Sequence, residues 1–207
     1  MATLYVGDVH GCAEELRSII ELAQPDEVLL TGDLFSRGPD PDGVWELIRQ
    51  YDCRAVMGNH EGWLLKSLAA GEVKASSARL LERQPELLAF VESMPQQIRR
   101  GRVVLVHAGV HPIEGPEQTP AEMGQQMRRF PMGSDGPFWY DAGWSGPELI
   151  VFGHDAMRGV VERFGAEGQR IALGLDSGCV YGGALTGWLA EEDRLLTVPA
   201  RKRYYPV

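Results

Sequence analysis

Five short fragments carry the residue types that bind metal ions and phosphate: GDVHG at 7–11, GDLFSRG at 32–38, GNHE at 58–61, HAG at 107–109 and GH at 153–154. They offer carboxylate oxygens from Asp8 and Asp33, an amide oxygen from Asn59, and imidazole nitrogens from His10, His107 and His154. That mixture suits Mn, Fe(II), Zn or Co better than an all-oxygen cage or a thiolate site. Six candidate ligands are too many for one tetrahedral ion. They suit two ions sharing a carboxylate, ~3.5–4 Å apart, an arrangement that cleaves phosphate esters and anhydrides. Asp8 and His10 are two apart, so an extended stretch points both to one side. A lone Gly-Asp or Gly-His pair is commonplace. Here four of the five histidines fall in the fragments and only His111 stands outside, so the five are read as one set.

Each fragment follows a short apolar run: Leu4-Tyr5-Val6, Val28 to Thr31, Arg54 to Met57, Val103 to Val106 and Leu149 to Phe152. Such runs bounded by Gly read as buried strands. Five strands ending in a ligand gather distant residues at one rim of a sheet, where open α/β sheets hold their sites. Between the first three strands, Leu16, Ile19, Ile20 and Ala23 repeat at helical spacing, as do Val44, Leu47, Ile48 and Tyr51. Asp40 reads as the cap of the second helix, with Pro41 at its first position. Residues 1–60 are therefore strand–helix–strand–helix–strand, with parallel pairing and right-handed crossovers. Residues 61–94 read as helix broken at Pro85. Thr119 reads as the start of a capping box, Thr-Pro-Ala-Glu, before a helix to about Phe130. Beyond 147 the pattern predicts strands at 148–152, 158–164, 169–175, 184–190 and 194–198. The tail from Arg201 to Tyr205 reads as a solvated end.

The chain has 207 residues, 44% apolar and 24% charged. That suits one domain over 1–207 with one core. No run approaches the ~20 apolar residues of a membrane span. The start lacks a basic n-region, so no signal peptide is expected. Cys12, Cys53 and Cys179 show no CxxC spacing and read as reduced thiols in a cytoplasm. The net charge of −9 argues against a nucleic-acid groove, which needs a basic stripe. It favours a small or locally presented phosphate.

The ordered series GDVHG…GDLFSRG…GNHE…HAG…GH resembles the calcineurin-like metallophosphoesterases. Within them it is most similar to the branch holding the serine/threonine phosphoprotein phosphatases and the symmetrical diadenosine tetraphosphatases. LDSGCVYGGALT at 175–186 also looks like that family, so the likeness runs nearly the full length. It implies an α/β fold, a sandwich of two mixed β-sheets flanked by helices, with a dinuclear metal site at the C-terminal ends of strands. It implies that Asp8, His10 and Asp33 hold one divalent ion and that Asp33, Asn59, His107 and His154 hold the other. Manganese is the first expectation, with iron, zinc, cobalt and nickel as the other candidates. A hydroxide between the ions would attack phosphorus in line, Arg37 would clamp the phosphate oxygens, and His60 would serve as acid to the leaving oxygen.

One departure bears on substrate. Protein phosphatases of the branch read Asp-Arg-Gly where this chain has Ser36-Arg37-Gly38, the Asp orienting the catalytic histidine. The diadenosine tetraphosphatases resemble this chain in having a small residue there. An anhydride has a better leaving group than phosphoserine and tolerates a weaker acid. The reading is therefore symmetrical hydrolysis of diadenosine tetraphosphate to ADP, with serine/threonine phosphoprotein phosphatase as the alternative. Arg128, Arg129 and Arg158 are candidates for a second phosphate-binding arginine. Trp139, Tyr140, Trp144 and Tyr181 are candidates to stack adenine, Tyr181 foremost.

Overall fold

The computed structural model describes residues 1–206. Its first sheet takes β1 (Thr3–Val6), β2 (Glu27–Leu30) and β3 (Arg54–Ala55), joined through α1 (Ala13–Ala23) and α2 (Pro41–Gln50). These three strands are parallel, as the crossovers require. Three helices follow: α3 (Asn59–Ala70), α4 (Ala75–Arg83) and α5 (Glu86–Ser93). The second sheet takes β4 (Gln97–Arg100), β5 (Val103–Val106), β6 (Leu149–Phe152), β7 (Val161–Phe164) and β8 (Arg170–Gly174), with a short α6 (Ala121–Gln126) after β5. The chain then returns to the first sheet through β9 (Ala184–Leu189) and β10 (Arg194–Pro199). The strand orders are β10-β9-β1-β2-β3 and β4-β5-β6-β8-β7, each mixing parallel and antiparallel pairs.

The pleat explains why these strands are apolar throughout. Leu4, Val6, Val28 and Leu30 point to α1 and α2, while Tyr5 and Leu29 point the other way. Leu105, Leu149, Val151 and Leu173 of the second sheet meet Tyr5 and Leu29 in one apolar layer. The sheets therefore pack face to face. Val104, Ile150 and Phe152 point away from that layer and are covered by Met127, Trp139, Tyr140 and Trp144. A strand buried on both faces cannot alternate with polar residues.

Several expectations need correction. The helical stretch after residue 58 breaks twice, because Gly71 takes a left-handed conformation at the end of α3 before the second break near Pro85. The Thr119 capping box does not form. Thr119 Oγ1 instead donates to Gly115 O and accepts from His111 N, and α6 ends at Gln126. The strand expected at 158–164 begins at Val161. β4, an edge strand of sequence QIRR, had no apolar run to reveal it. The tail is not a free end: Arg201 N and Tyr204 Oη both donate to Glu15 Oε1, at 3.0 and 2.7 Å. Asp40 does cap α2, its Oδ1 accepting from Gly43 N at 2.8 Å.

Candidate active site

Asp8 and His10 follow β1, Asp33 follows β2, and Asn59 opens α3 just after β3. His107 follows β5 and His154 follows β6. Because the sheets stack face to face, the ends of both sets of strands meet at one rim. His10, Asp33, Arg37 and His154 all have positive φ, between 44° and 69°, without being glycine. Such backbone is unfavourable for L-residues and persists only where neighbours enforce it. At Asp33 the enforcer is Glu61, a buried carboxylate that accepts from Asp33 N at 2.8 Å and Leu34 N at 2.9 Å. Glycine is needed beside these residues too. A Cβ on Gly153 would lie 2.0 Å from Asp8 Oδ1.

Asp33 stands between two groups of donors. Its Oδ2 is 3.6 Å from His10 Nε2 and 3.8 Å from His60 Nε2, while its Oδ1 is 3.6 Å from His107 Nε2. Donor atoms of His10, Asp33 and His60 lie within 4.8 Å of one another, and so do those of Asp33, His107 and His154. Asn59 Oδ1 closes the second group, 2.9 Å from His107 Nε2 and 3.0 Å from His154 Nδ1. Asp8 lines the same pocket with both oxygens already engaged, by Thr31 Oγ1 at 2.8 Å and His154 N at 3.0 Å.

The donor set fits a cation. His107 Nδ1 lies 2.7 Å from Thr31 O, a pure acceptor, so Nδ1 carries the proton and Nε2 offers a lone pair. That lone pair faces Asn59 Oδ1, another acceptor, with no proton between them. His154 Nε2 is buried without a hydrogen-bond partner. A neutral His154 can place at most one proton among these acceptors, through Nδ1, and a cation would satisfy the lone pairs that remain.

The electrostatics agree. Burial lifts the Asp8 carboxyl well above its usual range, and the nearby Asp176 and Asp33 lift it further. Burial likewise lifts Asp33, with Glu61 adding to it. Burial lifts Asp176 to about 6. The imidazoles move the other way. Burial lowers His10 well below 6.5, and pushes His60 to about 3, His107 to about 4 and His154 to about 2. A rim of crowded carboxylates and neutral imidazoles is what divalent cations stabilise.

The pocket around these residues has a volume of about 730 Å³. Arg37 reaches His10 Nε2 at 3.3 Å, donates to Tyr181 Oη, and lies 5.6 Å from the Tyr181 ring. Arg128 lines the pocket, donates to His154 O at 3.0 Å and approaches Asp155 at 3.4 Å. Arg129 and Arg158 are drawn elsewhere: both guanidinium groups lie 4.2 Å from the Phe138 ring, and Arg129 also bonds Gly136 O. Trp139, Tyr140 and Trp144 are not at the site. They cover the outer face of the second sheet, where their apolar area is buried, so only Tyr181 of the four stacking candidates faces the pocket. The Ser36 Oγ sits 3.0 Å from His10 Nδ1, so its hydroxyl contacts His10.

Sequence reasoning passed over several residues here. Glu61 and Asp176 sit inside quoted fragments, and a buried carboxylate behind a Gly-rich turn was the available signal. Trp63 lies three residues after His60 on α3, a helical spacing that places both on one face. Tyr205, which also lines the pocket, had no local signal.

Comparison with known proteins places these features. The profile of the Calcineurin-like phosphoesterase family matches residues 1–187. The chain belongs to this family. Among curated phosphoesterases it is 28% identical to a symmetrical bis(5'-nucleosyl)-tetraphosphatase of Methylobacillus flagellatus, over 96% of this chain and 95% of that protein. It is 37% identical to the protein of the same name from Methylococcus capsulatus, over 60% of this chain but only 49% of that relative's length. A solved structure described as a candidate diadenosine tetraphosphatase superposes with a TM-score of 0.83 at 31% identity, covering 96% of this chain and 93% of that one. The expected family, the two-sheet α/β sandwich and a metallophosphoesterase activity are therefore borne out. Among the described residues no helix is long and apolar enough to cross a membrane.

Proposed function

We propose that this phosphoesterase hydrolyses dinucleoside polyphosphates, diadenosine tetraphosphate foremost, releasing two ADP. The observation that carries the reading is Asp33, whose two oxygens face separate donor groups, with Arg37 and His60 beside it. Asp8, His10 and Asp33 would hold one divalent ion, and Asp33, Asn59, His107 and His154 the other. Manganese is the first choice of metal. When bound, such ions supply positive charge to phosphate oxygens and a nucleophile from water near neutral pH.

The chain's own residues do the rest. Arg37 presents a planar fork to the phosphate oxygens, and its bond to Tyr181 fixes the fork's direction. Arg128 adds positive charge from the second sheet's side. His60 has its backbone tied to Asp33 Oδ1 at 3.0 Å, which aims its ring into the pocket. A neutral imidazole still carries one N–H, which can hydrogen-bond the leaving oxygen. Ser36 on His10 Nδ1 leaves Nε2 to face the site. Both sheets contribute to this one rim, so we treat residues 1–207 as one catalytic unit. Three buried free thiols fit a reducing compartment such as the cytoplasm.

The test is turnover by the manganese-loaded protein, with chelation as the control. Diadenosine tetraphosphate and a phosphoserine peptide are offered separately and the products are resolved. ADP alone, lost on chelation and restored by manganese, supports the reading. ATP plus AMP means asymmetric cleavage. Fast peptide turnover with an inert dinucleotide moves the activity to phosphoproteins.

A further inference from the structure

Two aromatic side chains outside every ligand fragment line the pocket with much of their surface exposed. Trp63 lies one turn beyond His60 on α3, its ring 4.8 Å from the His60 ring. It is 45% exposed and belongs to none of the three apolar clusters. Tyr205 comes from the C-terminal tail and is 43% exposed. It too lies outside the clusters. Its position is nonetheless set, because Tyr204 N and Tyr205 N both donate to Val180 O, at 3.0 and 2.9 Å, and Tyr204 Oη is anchored on Glu15. Its ring lies 5.9 Å from the Arg37 guanidinium and 6.4 Å from the Tyr181 ring.

A row of contacts joins the two rings. Trp63 touches His60, the His60 and His10 rings are 5.0 Å apart, His10 Nε2 is 3.3 Å from Arg37, and Arg37 faces Tyr205. The phosphate-directed groups occupy the middle of the row, and an exposed π-face stands at each end. Met157, 79% exposed, also lines the pocket. Large apolar rings left in water beside a charged pocket regain stability when a flat aromatic ligand covers them. A molecule with a base at each end of a phosphate chain matches that order.

We propose that Trp63 and Tyr205 are specificity-determining residues that stack nucleobases, one at each end of the bound polyphosphate. The proposal deepens the phosphoanhydride reading and rests on it for the identity of the double-ended substrate. Stacking of a base on an aromatic side chain is worth about tenfold in affinity or more.

The test compares ADP with inorganic pyrophosphate, a probe without a base, by calorimetry on the full manganese-loaded chain. Wild type, Trp63→Ala, Tyr205→Ala, Trp63→Phe and Tyr205→Phe are measured, with KM and kcat on diadenosine tetraphosphate alongside. Wild type is expected to favour ADP over pyrophosphate by about tenfold or more. Each alanine variant is expected to narrow that ratio, each phenylalanine variant to restore it, and the loss on the dinucleotide to fall in KM rather than kcat. Equal wild-type affinity for the two probes overturns the proposal. So does an unchanged ratio in both alanine variants, or an equal loss on both probes, which marks a merely structural role. Failure of wild type to turn over the dinucleotide sinks the proposed function alone, since the ADP-to-pyrophosphate ratio still decides base stacking.

Discussion

Glu61 offers the sharpest test of how the site is held. It is buried behind the candidate metal-holding residues, and its two oxygens accept from Asp33 N and Leu34 N at 2.8 and 2.9 Å. Those bonds keep Asp33 at φ 52°, a conformation its side chain disfavours. Glu61→Gln keeps the shape but turns one acceptor into a donor facing an N–H. One charge-assisted bond is lost, about 1.5–3 kcal/mol, and the other falls to a neutral bond of about 1 kcal/mol. A partial offset exists, because burial lifts the Glu61 carboxyl above its usual range and a neutral amide avoids that cost. The net loss should therefore sit near the low end, about 2 kcal/mol. For a chain of this size that is a fall in Tm of about 4–8 °C by calorimetry. The backbone of Asp33 is released at the same time, so the manganese requirement for activity should rise about 10–100-fold, as for other groups that orient metal ligands. A variant with both Tm and manganese midpoint equal to wild type would refute the idea that Glu61 holds the Asp33 turn.

Four other outcomes are expected. Gly153→Ala places a methyl 2.0 Å from Asp8 Oδ1 and 2.6 Å from Thr31 Oγ1, so metal titration should show affinity lower by about 10–100-fold. His60→Asn should damage hydrolysis of phosphomonoesters far more than of the dinucleotide, because the anhydride's leaving group needs less proton donation; equal losses on the two substrates would count against that role. Trp139→Ala should cost about 3–5 kcal/mol in denaturant unfolding while the KM of the surviving protein stays at the wild-type value, since Trp139 is buried on the far face of the second sheet. None of the three cysteines should react quickly with a thiol reagent in the native state, all three being buried and the Cys53 thiol pushed up to about 12 by burial; three should react once the chain is unfolded.

Local signals account for what was legible beforehand. Short apolar runs ending in Gly and a ligand marked β1, β2, β5 and β6, because a strand buried on both faces has no polar alternation to blur it. Helical spacing marked α1 and α2, and Asp40-Pro41 marked the start of α2. The aromatic residues of 139–144 misled, because a Trp covering a sheet and a Trp facing a ligand have the same local sequence. The partner of Ser36 was not legible either: adjacency to Arg37 does not say which histidine its hydroxyl meets. β4 was missed because an edge strand with one buried residue, Ile98, carries almost no pattern. The tail was misread because its binding partner, Glu15, lies 186 residues from Arg201.

The sequence by itself determined the residue types at the rim, their order along the chain and their attachment to strand ends. Those follow from covalent neighbours and from burial of short runs, which are local properties. Tertiary structure decided what the residues do to one another. It set the two five-stranded sheets face to face, so that His107 and His154 meet Asn59 and Asp33. It put Glu61 behind the Asp33 turn, Ser36 on His10, the Trp139 group on the outer face, and Tyr205 beside Arg37. The physical reason is that packing and charge act through space. A carboxylate comes to stand between two groups of imidazoles, and a ring acquires its exposure, only when chain segments far apart in sequence close around the same few ångströms.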